Sequence, residues 1–422
     1  MTARAPADDD RASLTGWLIW GVCAAFFAYA FFHRVAPSVM YDHLMRDYAV
    51  GAAVLGNLSA CYFYAYCLVQ IPVGAMLDRV GPRLLLTGSA LVAAGGSLLF
   101  GLADQIELAY AARLLIGAGT GVVFLSTLTL AGIWLPARHF AMVTGLTQAV
   151  AMLGAVAGQA PLAAFVEATG WRPAMVWAAA AGLVIAVVIW FVARDRTNRR
   201  QEPERRDLRH ALADVFGNRQ TWLAGLYSAG MSGPMLTFAV LWGVPYLVQA
   251  HGLGRTEAGA SASLMLIGWA VAAPGIGWLS DRLGRRKPIM LTLAAVVLAA
   301  WCVVLWLPGL PLVGLQVLLV LIGAASSAMA LSFAVGRELN PPANSGLATG
   351  FVNFTSIAAA AAMQPLVGWL LDLRWTGAML DGARVFDATA YGQAFLVFPA
   401  VTLATLIGTA FLRETFCRQA VS

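Results

Sequence analysis

His33 and Arg34 stand side by side in AYAFFHRVAPSVM, a run that is otherwise almost wholly apolar. A second guanidinium, Arg113, opens the equally apolar stretch RLLIGAGTG. Placing arginine in hydrocarbon costs about 2.5–3.5 kcal/mol even on the most lenient insertion scales, so such residues usually have a task. A planar guanidinium can hold a carboxylate or phosphate through two parallel hydrogen bonds, which makes an organic anion the first ligand to consider. For Arg34 the competing reading is snorkelling toward lipid headgroups. For Arg113 it is bracing of neighbouring backbone. His33 is the candidate carrier of a coupling proton, because imidazole changes charge near neutral pH. A histidine satisfied by a neighbouring helix is the alternative.

Other polar side chains join these on narrow helical faces. At 100° per residue, Arg113, Gly117, Thr120, Phe124 and Thr127 fall within about 80° of one another. Ser59, Tyr62, Tyr66 and Gln70 share a second face, and Tyr29 lies one turn before His33. Gln148, Gln159, Asn353 and Gln364 add amides that serve either a solute or helix-to-helix hydrogen bonds. The candidate solute-binding set is therefore Arg34, Arg113, Tyr29, His33, Tyr62, Tyr66, Thr120, Gln148, Gln159, Asn353 and Gln364. No acidic residue is expected at mid-membrane: Asp42, Asp47, Asp104, Glu107 and Glu167 all fall near the ends of apolar runs. That argues against a cationic solute.

The elements carrying these residues follow from composition. Of 422 residues, 60% are hydrophobic and 11% charged, with a mean hydropathy of +0.75; soluble domains carry roughly a quarter charged residues. A membrane-crossing helix needs about 20 apolar residues. Twelve such runs are readable, at about 16–40, 52–77, 84–103, 107–131, 140–165 and 171–193, then 220–249, 257–280, 288–307, 311–336, 344–371 and 392–412. The expected fold class is an all-α polytopic membrane protein with twelve transmembrane helices in two six-helix bundles. The bundles occupy 16–193 and 220–413, with a linker at 194–219 and tails at 1–15 and 414–422. The first run is too long for a signal peptide and is expected to stay as a helix.

Basic residues orient the chain. The expected outer loops hold Arg46, Arg172, Arg255, Arg374 and Arg384; Arg34 and Arg113 fall within spans, and the other 20 of the 27 lie on the side of the termini. Both termini are thus expected in the cytoplasm and the protein in a bacterial inner membrane. The Arg-rich linker reads as an anchor beside the lipid bilayer, not a nucleic-acid site. The five cysteines show no paired spacing, and neither metal nor cofactor motif, P-loop nor hydrolase elbow is present. An enzyme is not expected, and energy would come from a gradient.

The halves repeat. GAMLDRVGPR carries Gly74, Asp78, Arg79, Gly81 and Arg83; GWLSDRLGRR carries Gly277, Asp281, Arg282, Gly284 and Arg286, each 203 positions later. Gln148 pairs with Asn353, and Gln159 with Gln364, at an offset of 205. Internal repetition of this kind builds many secondary transporters, with the solute site between the repeats. A carboxylate at the end of a span can pair with arginine or with a facing helix N-terminus, so both loops are candidate conformational latches for an outward-facing state.

These loops resemble the signature loop of the major facilitator superfamily. RLLIGAGTG resembles its fourth-helix motif and TGWR its connection between helices five and six. Pro82 departs from the usual basic residue. The resemblance covers the whole chain and implies a six-plus-six fold, a central cavity and alternating access. FHRVAPSVM and the following span resemble a proteobacterial group that includes phagosomal amino-acid and nucleoside importers. Arginine in helix one also resembles organic-anion symporters. GQAPLAAF in the fifth run lacks the Gly-Pro-rich pattern of drug/proton antiporters.

The expected function is secondary active transport of a small anionic or zwitterionic solute (organic acid, amino acid or short peptide) by a monomeric importer. A proton is the expected coupling ion and sodium the alternative. Open alternatives are a proton-coupled drug or metabolite exporter, a siderophore or nucleoside importer, and a transporter-like sensor.

Overall fold

The computed structural model describes residues 14–70, 72–136, 140–194, 208–307 and 310–419; at 74, 75, 78, 79, 140, 141, 208–211 and 343 it describes the backbone alone. Among the described residues, twelve helices are long and apolar enough to cross a membrane. Spans 1–6 are Leu14–Tyr48, Ala52–Gln70, Pro82–Leu102, Ile106–Trp134, Met142–Thr169 and Trp171–Val192. Spans 7–12 are Arg219–His251, Arg255–Leu283, Lys287–Trp306, Leu312–Glu338, Ser345–Leu373 and Ala388–Ala410. The apolar runs thus locate every span. The largest difference is at span 1, which continues beyond Met40 through a 3₁₀ turn, Ala36–Met40, into a helical segment, Tyr41–Tyr48. Pro37 suits the start of that turn, because its fixed φ and missing N–H disturb nothing there.

Other interruptions sit where the sequence weakens helical hydrogen bonding. Span 5 breaks at Gln159 (φ −112°, ψ −102°), between Gly158 and Pro161. Span 7 contains Pro234 and then a π-helical turn, Phe238–Trp242. Such turns leave the regular ladder imperfect and expose carbonyls to other partners.

The sequence repeat reappears in the packing. In the first bundle, a Cβ on Gly117 of span 4 would collide with the Tyr62 carbonyl of span 2. In the second, a Cβ on Gly323 of span 10 would collide with the Met265 carbonyl of span 8. Glycine at equivalent places permits the same close helix crossing in both halves. The bundles meet where span 2 packs on span 11 and span 5 on span 8. Large apolar side chains remain exposed on the outer surface, among them Trp177, Phe191, Val271 and Val313, as a hydrocarbon surround requires.

Positions 195–207 of the expected linker lie outside the described residues; its remainder contains a short helix, Leu208–Gly217. The side of the molecule remote from Leu14 and Leu412, the distal side below, carries the Tyr41–Tyr48 helix and a small hairpin. Met379–Leu380 pairs antiparallel with Ala383–Arg384 in that hairpin. This six-residue hairpin presents Arg384, an arrangement that apolar periodicity could not reveal.

Candidate functional site

Arg34 sits near the end of the regular helix of span 1 and is 8% exposed. Its guanidinium carbon lies 4.3 Å from the Phe31 ring centre, 5.2 Å from Tyr66, 5.5 Å from Phe63 and 5.7 Å from Tyr62. Aromatic faces attract a desolvated guanidinium without neutralising its charge. Among the described residues no carboxylate pairs with it, and its Nε has no hydrogen-bond partner. Phe27 and Phe31 (4.9 Å), and Phe27 and Phe124 (5.3 Å, stacked), extend the aromatic wall across spans 1 and 4. Arg34 lies beside Tyr62 and Tyr66, well inside span 2, and 14 residues follow it up to Tyr48 at the end of span 1.

Arg113, 1% exposed, is used differently. It donates through Nη1 to the His33 carbonyl (2.8 Å) and through Nη2 to the Ser59 carbonyl (3.4 Å), and lies 5.2 Å from the Tyr62 ring centre. It therefore ties span 4 to spans 1 and 2. Thr120 donates to the Tyr62 hydroxyl (3.0 Å), which donates to the Ala30 carbonyl (3.2 Å). Tyr62 and Tyr66 stack at 6.0 Å. This hydrogen-bonded chain fixes the Tyr62 ring beside Arg34, and buried polar chains of this kind rigidify their surroundings.

His33 is fully buried, with its ring edge-on to Tyr29 (4.5 Å) and Phe32 (5.3 Å). Neither ring nitrogen has a hydrogen-bond partner among the described residues. Tyr29 points toward Gly182 of span 6, inside the first bundle. Neighbouring positions on one helix thus diverge: His33 faces the bundle interior, Arg34 faces the tyrosines of span 2.

The amides lie elsewhere. Gln159 crosses between the halves: its Nε2 donates to the Ala239 carbonyl in the π-helical turn of span 7 (2.7 Å), and its Oε1 accepts from Ser263 of span 8 (2.8 Å). Asn353 donates to Gln70 Oε1 across spans 11 and 2 (3.2 Å). Gln364 is fully buried and its side-chain amide is unpartnered among the described residues, as is Gln148 Oε1; Gln364 accepts from Trp242 through its backbone (3.1 Å). No hydrogen bond joins any of these amides to Arg34 among the described residues.

A cluster that the sequence did not single out locks the distal side. Asp372 of span 11 accepts from the backbone N–H groups of Ala52 (3.0 Å) and Ala53 (2.8 Å) and pairs with Arg384 (2.9 Å). Arg255 of span 8 pairs with Asp42 (2.9 Å) and donates to the Val39 carbonyl (3.1 Å) and His43 Nδ1 (2.7 Å). Charges in these loops had a sufficient reading as topology signals; only the approach of the two halves shows that Arg255 pairs with Asp42, and that Asp372 reaches Ala52 and Ala53, across the seam.

The second signature loop is tied within its own half. Arg286 pairs with Asp281 (2.7 Å) and with buried Glu338 of span 10 (2.9 Å). Burial opposes the Arg286 charge, yet the hydrogen bonds to Glu338 and Asp281 leave its pKa raised. Arg282 lies over Trp278 (5.0 Å), Gly284 adopts φ +61° after the helix, and no neighbour would meet a Cβ on Gly277. In the first loop Gly81 (φ +83°) ends the helix Val73–Val80, and Arg83 lies over Trp190 (4.3 Å). The side chains of Asp78 and Arg79, and Gly74 beyond its backbone, lie outside the described residues.

Among the described residues, twelve apolar spans in two repeated bundles define a multi-pass membrane protein. The chain belongs to the Major Facilitator Superfamily, whose sequence model matches residues 21–365 and 235–415. It is similar to the "4-hydroxybenzoate transporter PcaK" of Pseudomonas aeruginosa, 24% identical over 84% of this chain and 86% of that one. It is also similar to the "Probable galactarate/D-glucarate transporter GudP" of Bacillus subtilis, 24% identical over 84% of each chain. The fold matches a crystal structure of a bacterial homologue of the human lysosomal transporter Spinster, in an inward-facing, occupied conformation. That match has a TM-score of 0.77 at 15% identity and covers 93% of this chain and 95% of that one.

Proposed function

We propose that this protein carries a small organic carboxylate across a bacterial inner membrane by alternating access, working as a monomeric importer, and that Arg34 contacts the anion. The single observation carrying this reading is the Arg34 environment: a guanidinium that is buried, held by aromatic rings and without a carboxylate partner among the described residues. A buried charge left uncompensated is costly, and an arriving carboxylate would remove that cost while gaining charge-assisted hydrogen bonds. The transporter relatives named for organic anions support the same solute class. Arg113, already bonded to two backbone carbonyls, is assigned to bracing.

The Asp372 cap on Ala52 and Ala53 and the Arg255–Asp42 pair serve as the outer lock of a state open toward the termini, and the signature loops as the opposing latch. Their coupling ion is a proton, with sodium the alternative, and His33 is assigned a packing role on account of its enclosure by Tyr29 and Phe32. Reconstituted protein tests the reading: organic acids should accumulate in proteoliposomes along an ion gradient, and Arg34→Ala should abolish accumulation while inserting normally. Uptake by Arg34→Ala equal to the parent would exclude the anchor.

A further inference from the structure

We propose that His43 is a proton-binding site on the distal rim, and that its protonation releases Arg255 and opens the seam between the bundles. This rests on the reading of Arg255 and Asp42 as part of the outer lock, to which it adds a trigger. Arg255, at the start of span 8, donates to three acceptors of the other half: the Val39 carbonyl (3.1 Å), His43 Nδ1 (2.7 Å) and Asp42 Oδ2 (2.9 Å). A guanidinium has donors only, so His43 Nδ1 has to offer a lone pair. The contact therefore exists only with a neutral imidazole that carries its proton on Nε2. Protonating Nδ1 removes the acceptor and sets a second cation against Arg255 at hydrogen-bond distance. His43 belongs to the polar helix YDHLMRDY, beyond the apolar part of span 1, and is half-buried, which leaves it open to protons from the distal side.

The charges around His43 do not replace what is lost. Asp42 is shared between Arg255 and the Gln249 amide of span 7 (3.4 Å), and an imidazolium at position 43 competes with Arg255 for it. Arg46, on the same helix, adds positive charge, and Asp47 is held by Trp171 and Arg172 of span 6. Arg384, in the hairpin packed on this helix, is matched by Asp372. Glu167 of span 5 accepts from Thr256, the residue after Arg255 (3.3 Å). Protonation thus favours a pair within one helix over a pair across the seam. The distal-closed state binds this proton more weakly than the open state, so acid favours opening as the pH falls through ordinary imidazole values of about 6.5. Binding about tenfold weaker in the closed state raises the open-to-closed ratio by up to about tenfold.

The test measures distances between spin labels on the full chain in lipid nanodiscs. Gln105→Cys and Thr376→Cys place the labels at exposed distal positions of opposite halves, with the five native cysteines replaced by alanine. From about pH 8 to about pH 5 the separated population of the parent should rise, with the open-to-closed ratio up by as much as about tenfold. The same comparison in Asp372→Asn, whose distal side opens more readily, keeps the response visible if the parent is almost wholly closed. His43→Asn retains an acceptor near the place of Nδ1 without titrating, and should stay closed at both pH values. His251→Gln removes an imidazole bonded to Tyr246 within the second half and should respond as the parent does. A pH response kept in His43→Asn, or absent from both the parent and Asp372→Asn, overturns the proton site. A second readout leaves the native cysteines in place: acid should lower the melting temperature of the parent more than that of His43→Asn, and equal losses also overturn it. Arg255→Gln tests the lock itself and should open the seam at both pH values. If it stays closed at about pH 8, the lock reading falls; if it opens while the other proteins ignore pH, the lock stands and the proton site falls.

Discussion

Asp372, near the end of span 11, caps the helix that begins at Ala52 in the other half of the molecule, its two carboxylate oxygens accepting from Ala52 N (3.0 Å) and Ala53 N (2.8 Å). A carboxylate at a helix N-terminus satisfies orphaned N–H groups and meets the positive end of the helix dipole. Because donor and acceptor belong to different bundles, the cap forms only while the distal side is closed.

Asp372→Asn keeps an acceptor oxygen but removes the charge that faces both the helix end and Arg384. The closed state should weaken by about 1 kcal/mol, a roughly fivefold population shift toward distal opening. Thiol labelling of single cysteines placed near Ala52 should rise accordingly. Labelling identical to the parent would mean that the cap follows closure without driving it.

Gln159 contributes to the same seam through Ala239 and Ser263. Gln159→Leu removes both hydrogen bonds and strands the Ala239 carbonyl, at a cost of about 1–3 kcal/mol. Distance measurements between spin labels on spans 5 and 8 should show a larger separated population, whereas Ser263→Ala, losing one bond, should have the smaller effect.

For Arg34 the two substitutions discriminate. Losing a buried charged contact costs about 2–5 kcal/mol, so Arg34→Ala should bind the solute roughly 30-fold to several thousand-fold more weakly. Arg34→Lys should recover part of that, since an ammonium keeps the charge and loses the planar fork. Near-equal affinity of parent and lysine variant, with altered insertion in the alanine variant, would point to headgroup snorkelling.

Within the second signature loop, Glu338 and Arg286 are both largely buried, whereas Asp281 is 68% exposed. Arg286→Gln leaves Glu338 buried without its cation and should destabilise the protein by about 3–5 kcal/mol. Asp281→Asn should cost less than about 1 kcal/mol in stability and act mainly on the conformational equilibrium. Thermal unfolding in detergent, compared with uptake, separates the two effects.

His33→Gln addresses coupling. A packing role predicts that proton-driven accumulation survives, with modest loss of thermal stability from the altered contact with Tyr29. Loss of gradient-driven accumulation with retained counterflow exchange would restore His33 as the proton carrier.

Hydrophobic runs determined the twelve spans, because crossing hydrocarbon imposes length and composition on each segment separately. The 203-residue repeat likewise announced two like bundles, and the glycines at 117 and 323 then pack alike in each. Isolated interior charges were also legible, since any Arg in an apolar run stands out. Which of two such arginines is already engaged by backbone carbonyls was not: Arg34 and Arg113 have the same chemistry, and only the His33 and Ser59 carbonyls arriving from neighbouring helices distinguish them. Nor could the sequence separate His33 from Arg34, adjacent in the chain yet about 100° apart around the helix. Asp372, Ala52, Arg255 and Asp42 were ordinary span-end residues until two bundles met. Pairing between halves depends on distances across a seam, and no local pattern of polarity encodes those distances.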